Sequence, residues 1–136
     1  MDSVARTYQA ILIDDDVDFA STVKAALNRN GISCQIVAPS IRVLSDLKTW
    51  ICDVVITDVI MPEVEGLELI LALRKHRPDL PIIAMSGGGD FMSAEINLDL
   101  SAAMGAGRIL QKPFEIAALV EAIHGLLEHV GQQDRA

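Results

Sequence analysis

Short apolar runs alternate along the chain with stretches in which apolar residues recur at helical spacing. The runs of strand length predict five buried strands, at 10–13, 33–37, 54–57, 82–85 and 109–110. The helical spacing predicts five helices, at about 19–30, 40–49, 67–76, 92–104 and 116–127. The strand runs are apolar throughout, as expected where helices cover both faces of a parallel sheet. The pattern therefore predicts an α/β fold, a doubly wound five-stranded parallel sheet with five helices.

Turn and capping residues mark several boundaries between these elements. Gly31 follows the first helix, at a position where helix C-termini favour glycine. Ser40 is the candidate N-cap of the second helix. Asp16 and Asp18 follow the first strand and are interpreted as solvated residues that cap the first helix.

Composition and charge narrow the range of partners. The chain has 136 residues, about one domain, and its 51% apolar and 22% charged residues predict a globular fold. Eleven Lys and Arg against nineteen Asp and Glu give a net charge of −8, so neither nucleic acid nor an anionic membrane is expected as a partner. No signal peptide or membrane span is apparent, and we expect a cytoplasmic protein. Cys34 and Cys52 are interpreted as buried thiols.

Polar residues with compatible chemistry follow four of the predicted strands. These residues are Asp14 and Asp15 after the first strand, Asp58 after the third, Ser86 after the fourth and Lys112 after the fifth. Ligands of such sheets bind beyond the carboxyl ends of the strands, so we expect these side chains to converge. Three carboxylates in one crevice need a counter-charge, and oxygen ligands suit Mg²⁺. A carboxylate can also accept a phosphoryl group, whose oxygens a lysine and a hydroxyl would hold.

Four segments, in order, resemble the receiver domain of two-component response regulators. They are ILIDDD at 11–16, DVVITDVIMPEVEG at 53–66, PIIAMSGG at 81–88 and ILQKPF at 109–114. The spacing from Asp58 to Met61-Pro62 and Gly66 is the most specific part of the likeness. The resemblance covers roughly residues 8–130. It implies a flavodoxin-like sheet with strand order 2-1-3-4-5 in a single domain, residues 1–136, with short flexible tails around a core of about 8–130.

The resemblance also implies a role for each strand-end residue. Asp58 would take a phosphoryl group from a histidine of a sensor kinase or a phosphotransfer protein. Mg²⁺, or Mn²⁺, would be held by Asp15, by Asp14 largely through water, by Asp58 and by the backbone carbonyl of Ile60, with no further cofactor. Ser86 and Lys112 would hold the phosphoryl oxygens. The peptide bond from Lys112 to Pro113 would be cis.

The chain departs from the usual receiver pattern near its fifth strand. Ile109 stands where the family usually has the aromatic residue of its switch, so the switch is expected to rely on Ser86 and the glycines at 87–89. The stretch between Ser86 and Lys112 is longer than usual, which leaves the position of the fourth helix open. Neither Ile60 nor Gly88 can position an attacking water, so we expect slow self-dephosphorylation.

Three functional hypotheses remain open at this point. The first is a phosphoacceptor module that turns over no external substrate and signals to a downstream protein, as a monomer or a phosphorylation-dependent dimer. About eight residues follow the last predicted helix, which is too few for an output domain. The second is a Mg²⁺-dependent phosphohydrolase that uses an aspartate of the run at 14–18, and the third a docking domain without phosphorylation. His76, His124 and His129 are interpreted as surface residues.

Overall fold

Five parallel strands form the single sheet of the computed structural model, which describes residues 7–40, 42–59, 66–86 and 107–134, with side chains to residue 128. The spatial order is β2-β1-β3-β4-β5, so the predicted flavodoxin-like arrangement is confirmed. The strands are β1 (Tyr8–Ile13), β2 (Ile32–Val37), β3 (Val54–Asp58), β4 (Ile82–Ser86) and β5 (Gly107–Gln111). Each extends past its apolar run by up to two residues, because backbone pairing continues through flanking positions that the hydrophobic pattern does not mark.

Four α-helices lie in the described part of the chain. They are α1 (Val17–Arg29), α2 (Val43–Asp46), α3 (Gly66–His76) and α4 (Ile116–Asp134), and a 3₁₀ turn at Leu47–Thr49 follows α2 directly. The predicted helix at 92–104 lies outside the described residues. The second helix is shorter than predicted, and Ser40 is not its cap. The Ser40 hydroxyl instead accepts a hydrogen bond from the Arg42 backbone N–H, only two residues on.

Two hydrophobic clusters cover the two faces of the sheet, as a doubly wound fold requires. On one face, Ile11 and Ile13 of β1 pack with residues of α2 and α3. On the other face, Ala10 and Leu12 pack with residues of α1 and α4. Successive β1 side chains therefore enter opposite clusters, and all four are buried. Full burial of such a leucine or isoleucine contributes about 1.5–3 kcal/mol.

The end of α1 matches its sequence signal. Asn30 is the C-cap, and its backbone N–H donates to the carbonyl of Leu27. Gly31 follows with φ of 77°, in the left-handed region that glycine enters without strain. The chain then turns directly into β2, which pairs with the whole length of β1.

Two side chains, Cys52 and His124, depart from their predicted surroundings. Cys34 is buried as expected, but Cys52 is half-exposed, with its Sγ 3.9 Å from Nη1 of Arg77. His76 is exposed, whereas His124 is half-buried and packs edge-on against the Tyr8 ring, centroid to centroid 5.8 Å. The side chain of His129 lies outside the described residues. None of the described helices is both long enough and apolar enough to cross a membrane.

Candidate functional site

The carboxyl ends of four neighbouring strands bring the predicted site residues to one edge of the sheet. The register fixes their levels, since Ile13 of β1 lies beside Thr57 of β3 and Asp58 lies beside Met85 of β4. Ser86, the last residue of β4, lies beside Gln111, the last of β5. Asp58 and Ser86, which end β3 and β4, and Asp14 and Lys112, which follow β1 and β5, therefore lie at the same edge, where such sheets bind their ligands.

Lys112 joins the first and third strands through two ion pairs. Its Nζ lies 3.0 Å from Oδ2 of Asp14 and 3.0 Å from Oδ2 of Asp58. The Asp14 side chain is fully buried, and 12% of the Asp58 side chain is exposed. The Lys112 backbone N–H also donates to the carbonyl of Ser86 at 2.7 Å, which holds the lysine against the end of β4. The peptide bond to Pro113 is cis, as expected.

Burial and pairing have opposite effects on the pKa of Asp14 and on that of Lys112. Burial raises the pKa of Asp14, and the hydrogen bonds from the Asp16 backbone and from Lys112 oppose that rise without cancelling it. Burial alone would lower the pKa of Lys112, but the hydrogen bonds and charges of Asp14 and Asp58 outweigh burial and raise it. The ammonium group is therefore kept charged by the two carboxylates that it bridges.

Asp14, Asp15 and Asp58 form a cluster that could hold a metal ion. Each offers a carboxylate oxygen, and these oxygens lie within 4.8 Å of one another. With all three ionised, the cluster and Lys112 carry three negative charges against one positive charge, an excess of two. A divalent cation balances that excess, and an all-oxygen donor set fits Mg²⁺ or Mn²⁺. The fourth expected ligand, the carbonyl of Ile60, lies outside the described residues.

The start of α3 approaches the end of β3 so closely that only glycine fits there. The Gly66 backbone N–H donates to the carbonyl of Val59 at 2.8 Å. A Cβ at Gly66 would lie 2.4 Å from Cα of Val59 and 2.7 Å from the carbonyl oxygen of Asp58. The sequence marks this glycine through its spacing from Asp58, but the close backbone contact that requires it is visible only in the fold.

The first turn of α1 is tied to the acidic cluster. The Asp16 backbone N–H donates to Oδ1 of Asp14 at 2.9 Å, and Oδ1 of Asp16 accepts from the backbone N–H of Phe19 at 3.0 Å. Asp16 is thus the N-cap of α1, as predicted, and Asp18 is an exposed residue of the first turn and not a cap. The carboxylate of Asp16 is thus bound to the first turn of the helix, whereas Asp15 is exposed to solvent.

An aromatic ring also contacts the lysine, a feature that the sequence does not indicate. Nζ of Lys112 lies over the ring of Phe19, 4.3 Å from its centroid. The Phe19 ring in turn meets the Phe114 ring edge-on, with centroids 6.0 Å apart and planes at 84°. The helical periodicity of α1 indicates only that Phe19 faces inward, and nothing in the sequence shows that Lys112 reaches its ring.

The predicted switch positions are only partly within the described residues. Ser86 ends β4 and is half-buried, and Ile109 lies on β5 with 38% of its surface exposed. The glycines at 87–89 and the long stretch up to 106 lie outside the described residues. The structure therefore places Asp14, Asp15, Asp58 and Lys112 together, and the roles expected of Ser86, Ile109 and Ile60 stay predictions.

Comparison with known proteins identifies the family that this chain matches. The sequence profile described as the response regulator receiver domain matches residues 10–124. The DNA-binding transcriptional regulator NtrC of Rhizobium meliloti (strain 1021) is 32% identical over 117 residues, which cover 83% of this chain and 22% of that protein. Response regulator MprA of Mycobacterium bovis (strain BCG / Pasteur 1173P2) is 28% identical over 126 residues, 93% of this chain and 53% of that protein. The chain thus spans about half or less of these relatives' length.

A solved structure shares the fold over nearly its whole length. The receiver domain of Francisella response regulator 1452 superposes with a TM-score of 0.78 at 26% identity. The likeness covers 91% of this chain and 99% of that one. The fold described above is therefore one that a solved receiver domain shares.

Proposed function

Because the chain belongs to the response regulator receiver family, we propose that it is a phosphoacceptor signalling module whose acceptor is Asp58. The observation that supports this best is the surroundings of Asp58 at the sheet edge. Its carboxylate lies 3.0 Å from the Lys112 ammonium and within 4.8 Å of oxygens of Asp14 and Asp15. Asp58 thus has beside it both a positive charge and oxygen ligands for a cation.

The proposed reaction is transfer of a phosphoryl group from a phosphohistidine. A carboxylate oxygen of Asp58 attacks the phosphorus, the P–N bond breaks, and the imidazole leaves with the bonding electrons and takes up a proton. Asp14, Asp15 and Asp58 would hold Mg²⁺, which offsets negative charge on the transferred group. Lys112 supplies the second positive charge and Ser86 a hydroxyl donor for the phosphoryl oxygens.

The proposed partners follow from this chemistry. The donor is a sensor histidine kinase or a histidine phosphotransfer protein, and the output is contact with a downstream protein, by a monomer or a dimer that forms on phosphorylation.

The net charge of −8 gives no support to nucleic-acid binding by the chain itself, although one relative is named a DNA-binding regulator. We propose no turnover of an external substrate. We propose the cytoplasm as its compartment, since both cysteines are free thiols.

The phosphohydrolase hypothesis has less support from the site. It would use an aspartate of the run at 14–18 as nucleophile. Both carboxylate oxygens of buried Asp14 have protein partners, the Asp16 backbone N–H and Lys112, and Oδ1 of Asp16 is bound to the first turn of α1. It also assigns no role to Asp58, which Lys112 contacts directly.

Intact mass spectrometry tests the proposal. The chain is incubated with acetyl phosphate and Mg²⁺, beside Asp58→Asn and the control Asp46→Asn, which changes an exposed carboxylate at the end of α2. We expect one added phosphoryl group that requires Mg²⁺, is absent from Asp58→Asn and is retained in Asp46→Asn. No adduct on the unchanged protein at short times would contradict the proposal and favour a docking domain. Steady hydrolysis of a generic phosphate ester would favour the phosphohydrolase.

A further inference from the structure

The ammonium group of Lys112 has a third neighbour besides its two carboxylates. The Phe19 ring lies beneath Nζ at 4.3 Å from its centroid, well within the range of a cation–π interaction. Lys112 is 21% exposed in its side chain, and Asp14 beside it is fully buried, so the ammonium group is largely withdrawn from solvent. Cation–π attraction is stronger where the cation is desolvated, as it is here.

Both the backbone and the ring of Phe19 are held in place. Its backbone N–H is bound by the cap residue Asp16, whose own N–H is bound by Asp14, one of the two carboxylates that pair with Lys112. The edge of the Phe114 ring supports the Phe19 ring at 6.0 Å and 84°. A closed set of contacts therefore runs from Asp14 through the first turn of α1 to the ring and back to the lysine.

From these contacts we infer that Phe19 is a positioning residue, which holds the Lys112 ammonium between Asp14 and Asp58 through its ring face. The lysine has a long side chain with several rotatable bonds, and two carboxylate contacts on one side leave it free to swing toward solvent. The ring adds a third contact, which attracts the cation without competing for the hydrogen bonds that Lys112 gives to the two aspartates. This inference rests on the proposed function where it concerns the rate of phosphorylation, and on geometry alone where it concerns the lysine.

Proton NMR tests the geometry without any phosphorylation. Protons above the face of an aromatic ring are shifted upfield, so the ε-methylene protons of Lys112 should resonate upfield of those of Lys48, an exposed lysine that serves as the internal reference. We expect the upfield shift to disappear in Phe19→Leu and to remain in Phe19→Tyr, because tyrosine keeps the ring and leucine keeps only apolar bulk. Equal Lys112 and Lys48 shifts in the unchanged protein would overturn the inference.

The rate of Asp58 phosphorylation by acetyl phosphate with Mg²⁺ tests the consequence. We expect Phe19→Leu to slow the reaction about three- to tenfold, the range of a partly desolvated cation–π contact, and Phe19→Tyr to restore it. Tyr8→Leu is the matched control, since Tyr8 packs on the same hydrophobic cluster away from the site, and it should leave the rate near that of the unchanged protein.

A double-mutant comparison separates positioning of the lysine from general damage to the fold. In a Lys112→Ala background, Phe19→Leu should cause no further loss of rate, because the cation that the ring holds is gone. The same loss in both backgrounds, or an equal loss in Tyr8→Leu, would overturn the inference. If the unchanged protein forms no aspartyl phosphate, the proposed function fails, and the ring-current shift still decides whether Phe19 holds Lys112.

Discussion

Gly66→Ala is the substitution for which the structure makes the sharpest prediction. The added Cβ would lie 2.4 Å from Cα of Val59, 2.6 Å from the Val59 carbonyl oxygen and 2.7 Å from that of Asp58. All three are backbone atoms, so no side chain can rotate away. The start of α3 and the end of β3 must then move apart, which strains or breaks the 2.8 Å hydrogen bond from Gly66 to Val59.

Two effects of this displacement should be measurable. Overpacking of this kind costs about 1–3 kcal/mol, so the free energy of unfolding from urea denaturation should fall by that amount. Because the moving segment carries Asp58, the acceptor also shifts relative to Asp14 and Lys112. We expect slower phosphorylation by acetyl phosphate and a higher Mg²⁺ requirement than in the unchanged protein.

Gly125→Ala is the control for glycine replacement. The added Cβ there meets only the guanidinium of Arg108, 2.9 Å from Nη2, and that flexible side chain can move. Alanine is also better than glycine inside a helix by about 0.8–1 kcal/mol, so this variant should be neutral or slightly more stable. If Gly66→Ala and Gly125→Ala have the same stability and the same phosphorylation rate, the reasoning about close backbone approach is refuted.

Three further predictions concern the ion, the thiols and the phosphoryl bond. Mg²⁺ at a hundredfold excess over its Kd should stabilise the protein by about 2.7 kcal/mol in thermal unfolding, and Asp15→Asn should remove most of that gain. Burial raises the pKa of both thiols, that of Cys34 to about 11, and Cys34 is also the less accessible, so at pH 8 native Cys34 should react with iodoacetamide more slowly than the half-exposed Cys52, a difference that peptide mapping detects and that denaturant should abolish. Ile60→Asn should speed loss of the phosphoryl group, measured by mass spectrometry over time, and an unchanged rate would count against shielding by Ile60.

Hydrophobic periodicity predicts most of this fold, because strands buried on both faces are apolar throughout. It fails at the second helix, where the Ser40 hydroxyl accepts from the N–H of Arg42 and α2 begins only at Val43, and where a 3₁₀ turn replaces the last predicted residues. It also cannot show which residues of different elements meet. Cys52 lies beside Arg77 and His124 beside Tyr8, and both contacts depend on how distant segments pack.

The candidate site is more predictable than its surroundings, for a topological reason. Parallel strands end at one edge, so charged residues at or directly after their ends converge, and Asp14, Asp58 and Lys112 do so. No comparable topological rule predicts that Phe19 lies under the lysine. This contact depends on the cap that fixes the first turn of α1 and on the reach of a side chain from β5's end, and both are set by three-dimensional packing.

Asp14 and Asp15, which follow β1, lie in different environments, and we therefore expect them to have different roles. Asp14 is buried, and each of its carboxylate oxygens already has a protein partner, the Asp16 backbone N–H on Oδ1 and Lys112 on Oδ2. Asp15 is exposed, while its carboxylate still lies close to those of Asp14 and Asp58. A cation arriving from solvent would therefore find an accessible ligand in Asp15, and we expect Asp14 mainly to hold Lys112 and the first turn of α1 in register with the proposed acceptor, Asp58. Removal of either carboxylate takes one acidic group from the cluster, but of these two aspartates it is Asp14 that the structure pairs with the lysine.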